Sequence, residues 1–127
     1  MTPVQTLALA LACSAAAAIA LPTQAQPKAN EPGCFLRSDI RNHTVGDDHT
    51  MYFDVGGRGV YRAVMSNSCL ASAVSSDPIV MVDRTGSGRI CRKIDLDVAV
   101  RGTRCIVDRL ERLTPEEVAA LPKRQRP

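Results

Sequence analysis

The chain of 127 residues has no tryptophan, two tyrosines, two phenylalanines and two histidines. So few aromatics leave little for a base- or sugar-stacking surface once a core has taken its share; Tyr52, Phe53 and Tyr61 are expected in the core. With two histidines and no G-x-S-x-G or S-x-x-K sequence, the usual nucleophile constellations are missing. Gly56-Gly57-Arg58-Gly59 is too short for a phosphate loop. No C-x-x-C occurs, which removes thioredoxin-like redox chemistry and the common zinc pattern. A basic excess is nearly absent as well. The net charge is +3, and Lys123, Arg124 and Arg126 account for it, leaving thirteen bases against thirteen acids in the body. A nucleic-acid groove needs a concentrated basic face, so none is expected.

Charge is also missing from the first 25 residues. Residues 6–21 read TLALALACSAAAAIAL, shorter than the roughly 20 apolar residues of a membrane span. Pro22 ends the run, and Thr23-Gln24-Ala25 places small residues at −3 and −1 of a signal-peptidase site. Residues 1–25 therefore read as a signal peptide and the mature chain starts at Gln26. Lipidation at Cys13 is the competing reading, but Ala10 and Leu11 do not match the usual lipoprotein pattern. Residues 26–33, with two prolines, read as a flexible leader, and residues 122–127 as a solvated basic tail.

Removal of the signal leaves Cys34, Cys69, Cys91 and Cys105. An even number in an oxidising compartment reads as two disulfides, with three possible connectivities. Residues 34–121 read as one domain of short strands. Residues 50–55 alternate, with Met51, Phe53 and Val55 on one face. The glycines that follow suit a hairpin loop, and Tyr61, Ala63 and Met65 return on the matching face. Residues 79–82 read as a strand buried on both faces, and Leu96, Val98 and Val100 line one face of another. In 103–113 simple alternation fails, which a bulge would resolve. Thr114-Pro115-Glu116-Glu117 starts a short helix, with Thr at the N-cap and Pro at N1. The expected fold is mainly β: a small antiparallel barrel or sandwich with one short C-terminal helix. In a closed barrel the first and last strands are neighbours, which pairs Cys34 with Cys105 and Cys69 with Cys91.

The cysteine contexts carry a resemblance. Cys34-Phe35, Ser68-Cys69-Leu70, Ile90-Cys91 ahead of Asp95, and Cys105-Ile106-Val107 ahead of Leu113-Thr114-Pro115-Glu116-Glu117 occur in that order, with a Tyr-bearing hairpin between the first two cysteines. The chain resembles a family of small exported proteobacterial proteins classed as a domain of unknown function. The resemblance spans about residues 34–120. It departs at Cys69, which Leu70 follows directly. It implies export and a single domain, and no activity.

Residues with chemistry are sparse. His43, Asp47 and His49 surround a turn and are the weak candidates for a metal; a polar hairpin loop is the favoured reading, since Gly-Asp-Asp is common turn chemistry. Asp95 and Asp97 would share one face of a strand, where Arg92, Lys93 and Arg101 suggest charge pairing. No catalytic residue and no cofactor is expected. The functional expectation is a noncatalytic periplasmic or secreted domain that binds protein or envelope material. Two alternatives are an inhibitor of a secreted hydrolase such as lysozyme, acting through loop 66–77 or 85–88, and a small hydrolase or metal-binding protein using His43 and His49.

Export has a direct test. The intact mass of the exported protein should match a chain beginning at Gln26 or its cyclised form; a diacylated mass beginning at Cys13 would make it a lipoprotein.

Overall fold

The computed structural model describes residues 32–127; the expected signal sequence and cleavage site, Cys13 and most of the expected leader lie outside the described residues. The short strand β1 (Phe35–Leu36) opens the fold and pairs with β6 (Arg89–Ile90). Strands β2 (Ile40–Asp47), β3 (Thr50–Val55), β4 (Gly59–Met65) and β9 (Val107–Arg112) form an antiparallel sheet in that spatial order. A second antiparallel sheet has the order β5 (Ile79–Asp83), β7 (Leu96–Val100), β8 (Thr103–Cys105). The chain ends in helix α1 (Pro115–Ala120) and a 3-10 turn at Lys123–Gln125.

The period-2 pattern sets the core. Met51, Phe53 and Val55 from β3, Tyr61, Ala63 and Met65 from β4, and Leu96, Val98 and Val100 from β7 all point into one cluster. Phe53 and Tyr61 stack with ring centroids 5.9 Å apart, and Phe35 packs against both, 4.7 Å from Tyr61 and 6.1 Å from Phe53. Three of the four aromatic rings are thus core rings. The sheets pack on this shared core and remain open, so the barrel closure expected above does not occur.

The open arrangement changes the disulfide pairing. The bonds are Cys34–Cys91 and Cys69–Cys105, in place of Cys34–Cys105 and Cys69–Cys91. The reason is local. The β1–β6 ladder sets Phe35 opposite Ile90, so the flanking Cys34 and Cys91 meet. Cys105 ends β8, and Asn67 brings the loop after β4 to it. The Asn67 amide donates to Arg104 O at 2.9 Å, and its carbonyl accepts from Ile106 N at 2.8 Å.

Two strand readings also change. Residues 103–113 are not one bulged strand. The chain leaves the three-stranded sheet after Cys105, and resumes in the four-stranded sheet at Val107. Ile106 is the crossing point and faces outward, while Cys105 and Val107 on either side face the core; inward parity changes later, between Val107 and Leu110. The bulge expected in this segment is present within β9: Val64 and Met65 face Arg109 and Val107, leaving Asp108 as the extra residue. Strand β5 is buried on one face only, because it is an edge strand whose sheet has no layer outside it: Val80 and Val82 are 58% and 48% exposed.

The outer face of the four-stranded sheet is covered. Thr44, Tyr52, Arg62 and Glu111 form one row across its strands. Glu111 accepts two hydrogen bonds from the Arg62 guanidinium, at 2.6 and 3.0 Å. The C-terminal segment lies against β2. Thr44 Oγ1 donates to Gln125 O at 2.6 Å, and Gln125 Nε2 donates to Gly46 O at 3.0 Å. A Cβ at Gly46 would come within 2.8 Å of the Tyr52 ring, so this strand position needs glycine for close approach. The tail keeps exposed basic side chains but its backbone is docked, unlike a solvated end. Helix α1 starts as read from sequence. Thr114 Oγ1 accepts from Glu117 N at 3.2 Å, and the Glu117 carboxylate accepts from Thr114 N at 2.7 Å.

Non-reducing peptide mapping should recover Cys34–Cys91 and Cys69–Cys105. Their sequence separations of 57 and 36 correspond to roughly 4 kcal/mol of chain entropy each. Cys69→Ser should therefore lower unfolding stability by about 3–4 kcal/mol in denaturant titration and make the protein protease-sensitive.

Candidate functional site

The residues singled out for metal chemistry are held by the fold itself. His43 lies in β2 opposite Phe53, not in the turn, and its Nε2–H donates to Asp77 O at 3.2 Å. Asp47 ends β2 and accepts from His49 N at 2.8 Å. His49 Nδ1–H donates to Met65 O at 3.3 Å, which leaves Nε2 to accept from the Ser68 hydroxyl at 3.3 Å. This Ser–His contact ties the start of β3 to the loop that carries Cys69. Among the described residues, no three His, Cys, Asp or Glu side chains gather as a metal-ligating group.

The paired aspartates separate as well. Asp95 is buried at the end of a 3-10 turn, where its carboxylate accepts from Cys91 N at 3.1 Å and Arg92 N at 2.9 Å. Asp97 lies on β7 and receives two bonds from Arg104, at 3.1 and 2.9 Å. Arg101 reaches the other way, donating to Ser72 O at 3.0 Å. Its backbone takes φ 51°, followed by Gly102 at φ 81°, the two positive angles that a tight two-residue hairpin requires.

The open outer face of the β5–β7–β8 sheet presents the strongest surface. Val80, Ala99 and Arg104 form one register row across the three strands. Val82 and Asp97 form the next. Ile106 follows β8 on the same side, and Ile94 rises beside it from the 3-10 turn Lys93–Asp95; they are 60% and 61% exposed. Between them lies a cleft of about 450 Å³, with Leu96, Cys105 and Val107 among its walls and Arg84, Lys93, Asp97 and Arg104 at its charged positions. This size falls within the roughly 300–1,000 Å³ of small-ligand sites. Four of the six large apolar side chains exposed among the described residues are Val80, Val82, Ile94 and Ile106. Their concentration on one face, rather than their exposure, is informative.

Both edges of this sheet are plugged by side chains. Arg37 Nη1 donates to Met81 O at 3.1 Å on β5, and Asn67 serves β8. Strand addition is thereby blunted while the face stays open. The loop beyond β5 is ordered by Asp83. Its carboxylate accepts from Thr85 Oγ1 at 2.7 Å, from Thr85 N at 2.9 Å, and from Gly88 N. The Thr85 hydroxyl, then the backbone N–H groups, hold the Asp83 carboxyl below its ordinary value.

The sequence reading missed this face. Residues 79–82 looked continuously apolar and therefore doubly buried. The broken alternation of 103–113 was read as a bulge within one strand, and the bulge is there, but the change of sheet at Ile106 was not read from it. Comparison with protein-family models, curated proteins and solved structures found no match to this chain.

Two measurements follow from these contacts. Replacing His43 and His49 together with Ala should lower stability by about 1–2 kcal/mol through lost neutral hydrogen bonds, with wild-type melting unmoved by chelator. A chelator-induced drop seen only in the wild type would establish metal binding. For Asp83, a depressed folded-state pKa means that its contribution is present above the unfolded value and disappears as pH falls through the folded one. The Gly88 amide resonance should therefore titrate with a midpoint below 3.8.

Proposed function

We propose that this chain is an exported, noncatalytic binding domain that engages a protein partner in the periplasm or outside the cell. The observation that carries the reading is the uncovered outer face of the β5–β7–β8 sheet, which exposes Val80 and Val82 and adjoins the cleft lined by Ile94 and Ile106, the two areas sharing Asp97 and Arg104. The matching outer face of the other sheet is occupied by the chain's own C-terminal segment. A domain that covers one face, plugs both edges and leaves one apolar face open has the anatomy of an interaction surface. Two disulfides support a compartment outside the reducing cytosol. Among the described residues no helix is long and apolar enough to cross a membrane.

The inhibitor alternative calls for a protruding loop. Loop 66–77 instead lies against the body: Cys69 is bonded to Cys105, Leu70 is buried, and Ser75 Oγ accepts from Val45 N at 3.0 Å. Loop 85–88 is drawn in by Asp83. The open sheet face is therefore favoured over either loop.

Site-specific photocrosslinking in the native host tests the surface. A photoreactive residue at Val82 should give a discrete protein adduct, one at Glu116 on α1 should not, and Ile106→Glu should suppress the Val82 adduct. Identical adducts from both positions, or none from Val82, would remove this face from consideration.

A further inference from the structure

The charges around the cleft are unequally satisfied. It is lined by three cations, Arg84, Lys93 and Arg104, and one anion, Asp97. Arg104 is committed to Asp97 through two bonds, and Lys93 Nζ lies 3.2 Å from the Asp108 carboxylate. The Arg84 guanidinium has no hydrogen bond and no ion pair among the described residues. Its nearest acid in sequence, Asp83, is turned into the 85–88 loop, where Thr85 and Gly88 occupy it. Yet the Arg84 backbone is fixed, because its N–H donates to Asp95 O at 3.0 Å where β5 leaves β7. The arrangement is an exposed, always-charged planar fork with no protein partner among the described residues, on a tethered backbone beside an apolar cleft. Arginine pairs with carboxylates in a two-pronged geometry, and such a pair gains strength where an apolar wall excludes water.

We propose that this cleft reads an acidic–apolar segment of the partner protein: an apolar side chain enters between Ile94 and Ile106 while a neighbouring carboxylate meets Arg84. The inference rests on the binding-domain reading above and specifies the chemistry of its partner. Charge complementarity selects this occupant. A purely apolar segment would leave Arg84 unsatisfied at the edge of a desolvated contact, and a basic segment would be repelled by the local excess of cations.

The test uses the oxidised, ¹⁵N-labelled protein and two probes differing in one group, acetyl-Gly-Leu-Asp-Leu-Gly-amide and its Asn counterpart. The Asp peptide should shift amides at residues 84, 94–97 and 104–107 saturably in the millimolar range, with the Asn peptide at least tenfold weaker. Arg84→Gln should reduce the Asp peptide to the level of the Asn peptide and leave the Asn peptide unchanged. Ile106→Glu should weaken both. Both positions are exposed, and an unchanged spectrum away from the cleft verifies folding of each variant. Equal binding of the two peptides, an equal loss of both in Arg84→Gln, or no shift with either would overturn the proposal. Shifts of the same amides with protein concentration alone would assign the face to a second copy of the chain. Perturbation by phosphatidylglycerol vesicles with neither peptide binding would assign it to a lipid surface. Either result overturns the acidic–apolar assignment. The photocrosslink at Val82 is independent of Arg84: its adduct surviving a negative peptide result retains the docking face and rejects only this chemistry.

Discussion

The interleaved disulfides are the constraint on which the rest of the molecule depends. Among the four cysteines of the described residues, the first in chain order bonds to the third and the second to the fourth, so each bridge closes a loop containing one end of the other. The first bridge holds the small β1–β6 ladder, which places Phe35 against Phe53 and Tyr61. The second holds the loop after β4 against the point where the chain passes from one sheet to the other. A domain of this size buries a limited core, and cross-links that restrict the unfolded ensemble add stability where apolar area alone is modest. Their contributions are not additive here, because closing one loop already shortens the freedom of the other.

That framework allows an asymmetric molecule. The four-stranded sheet has both faces occupied: the shared core on one side, and the docked C-terminal segment on the other. The three-stranded sheet has only its inner face buried. Its edges are closed by the Arg37 and Asn67 side chains, which satisfy backbone groups that would otherwise invite another strand. What remains available is a face rather than an edge, with Ile94 and Ile106 standing over its cleft. The Ser68–His49 contact shows how geometry can mislead when read alone. A serine hydroxyl faces an imidazole nitrogen, but the same imidazole is anchored to the Met65 carbonyl and both residues join the β3 start to the Cys69 loop. A structural tie accounts for each of those bonds.

Much of the fold is legible in the sequence. Alternation placed Met51, Phe53 and Val55, then Tyr61, Ala63 and Met65, then Leu96, Val98 and Val100 in the core, because side chains on neighbouring strand positions must face opposite ways. The helix start at Thr114 was equally readable, since its capping box is made within four residues. The proposed binding surface was far less legible. Val80 and Val82 sit in a run that carries no alternation, and only the absence of a layer outside β5 exposes them.

The sequence by itself determined the central hairpin, the helix start, the core-facing residues of the central strands and the presence of four cysteines suited to pairing. These depend on local sterics and on a period of two. Tertiary structure alone decided that the sheets stay open, that Cys34 meets Cys91 and Cys69 meets Cys105, and that the chain changes sheets at Ile106. It also decided that the tail backbone docks on Thr44 and Gly46, and that Arg84 faces a cleft without a carboxylate partner. Each of these is a contact between positions far apart in the chain, and no local pattern records which distant strand lies alongside.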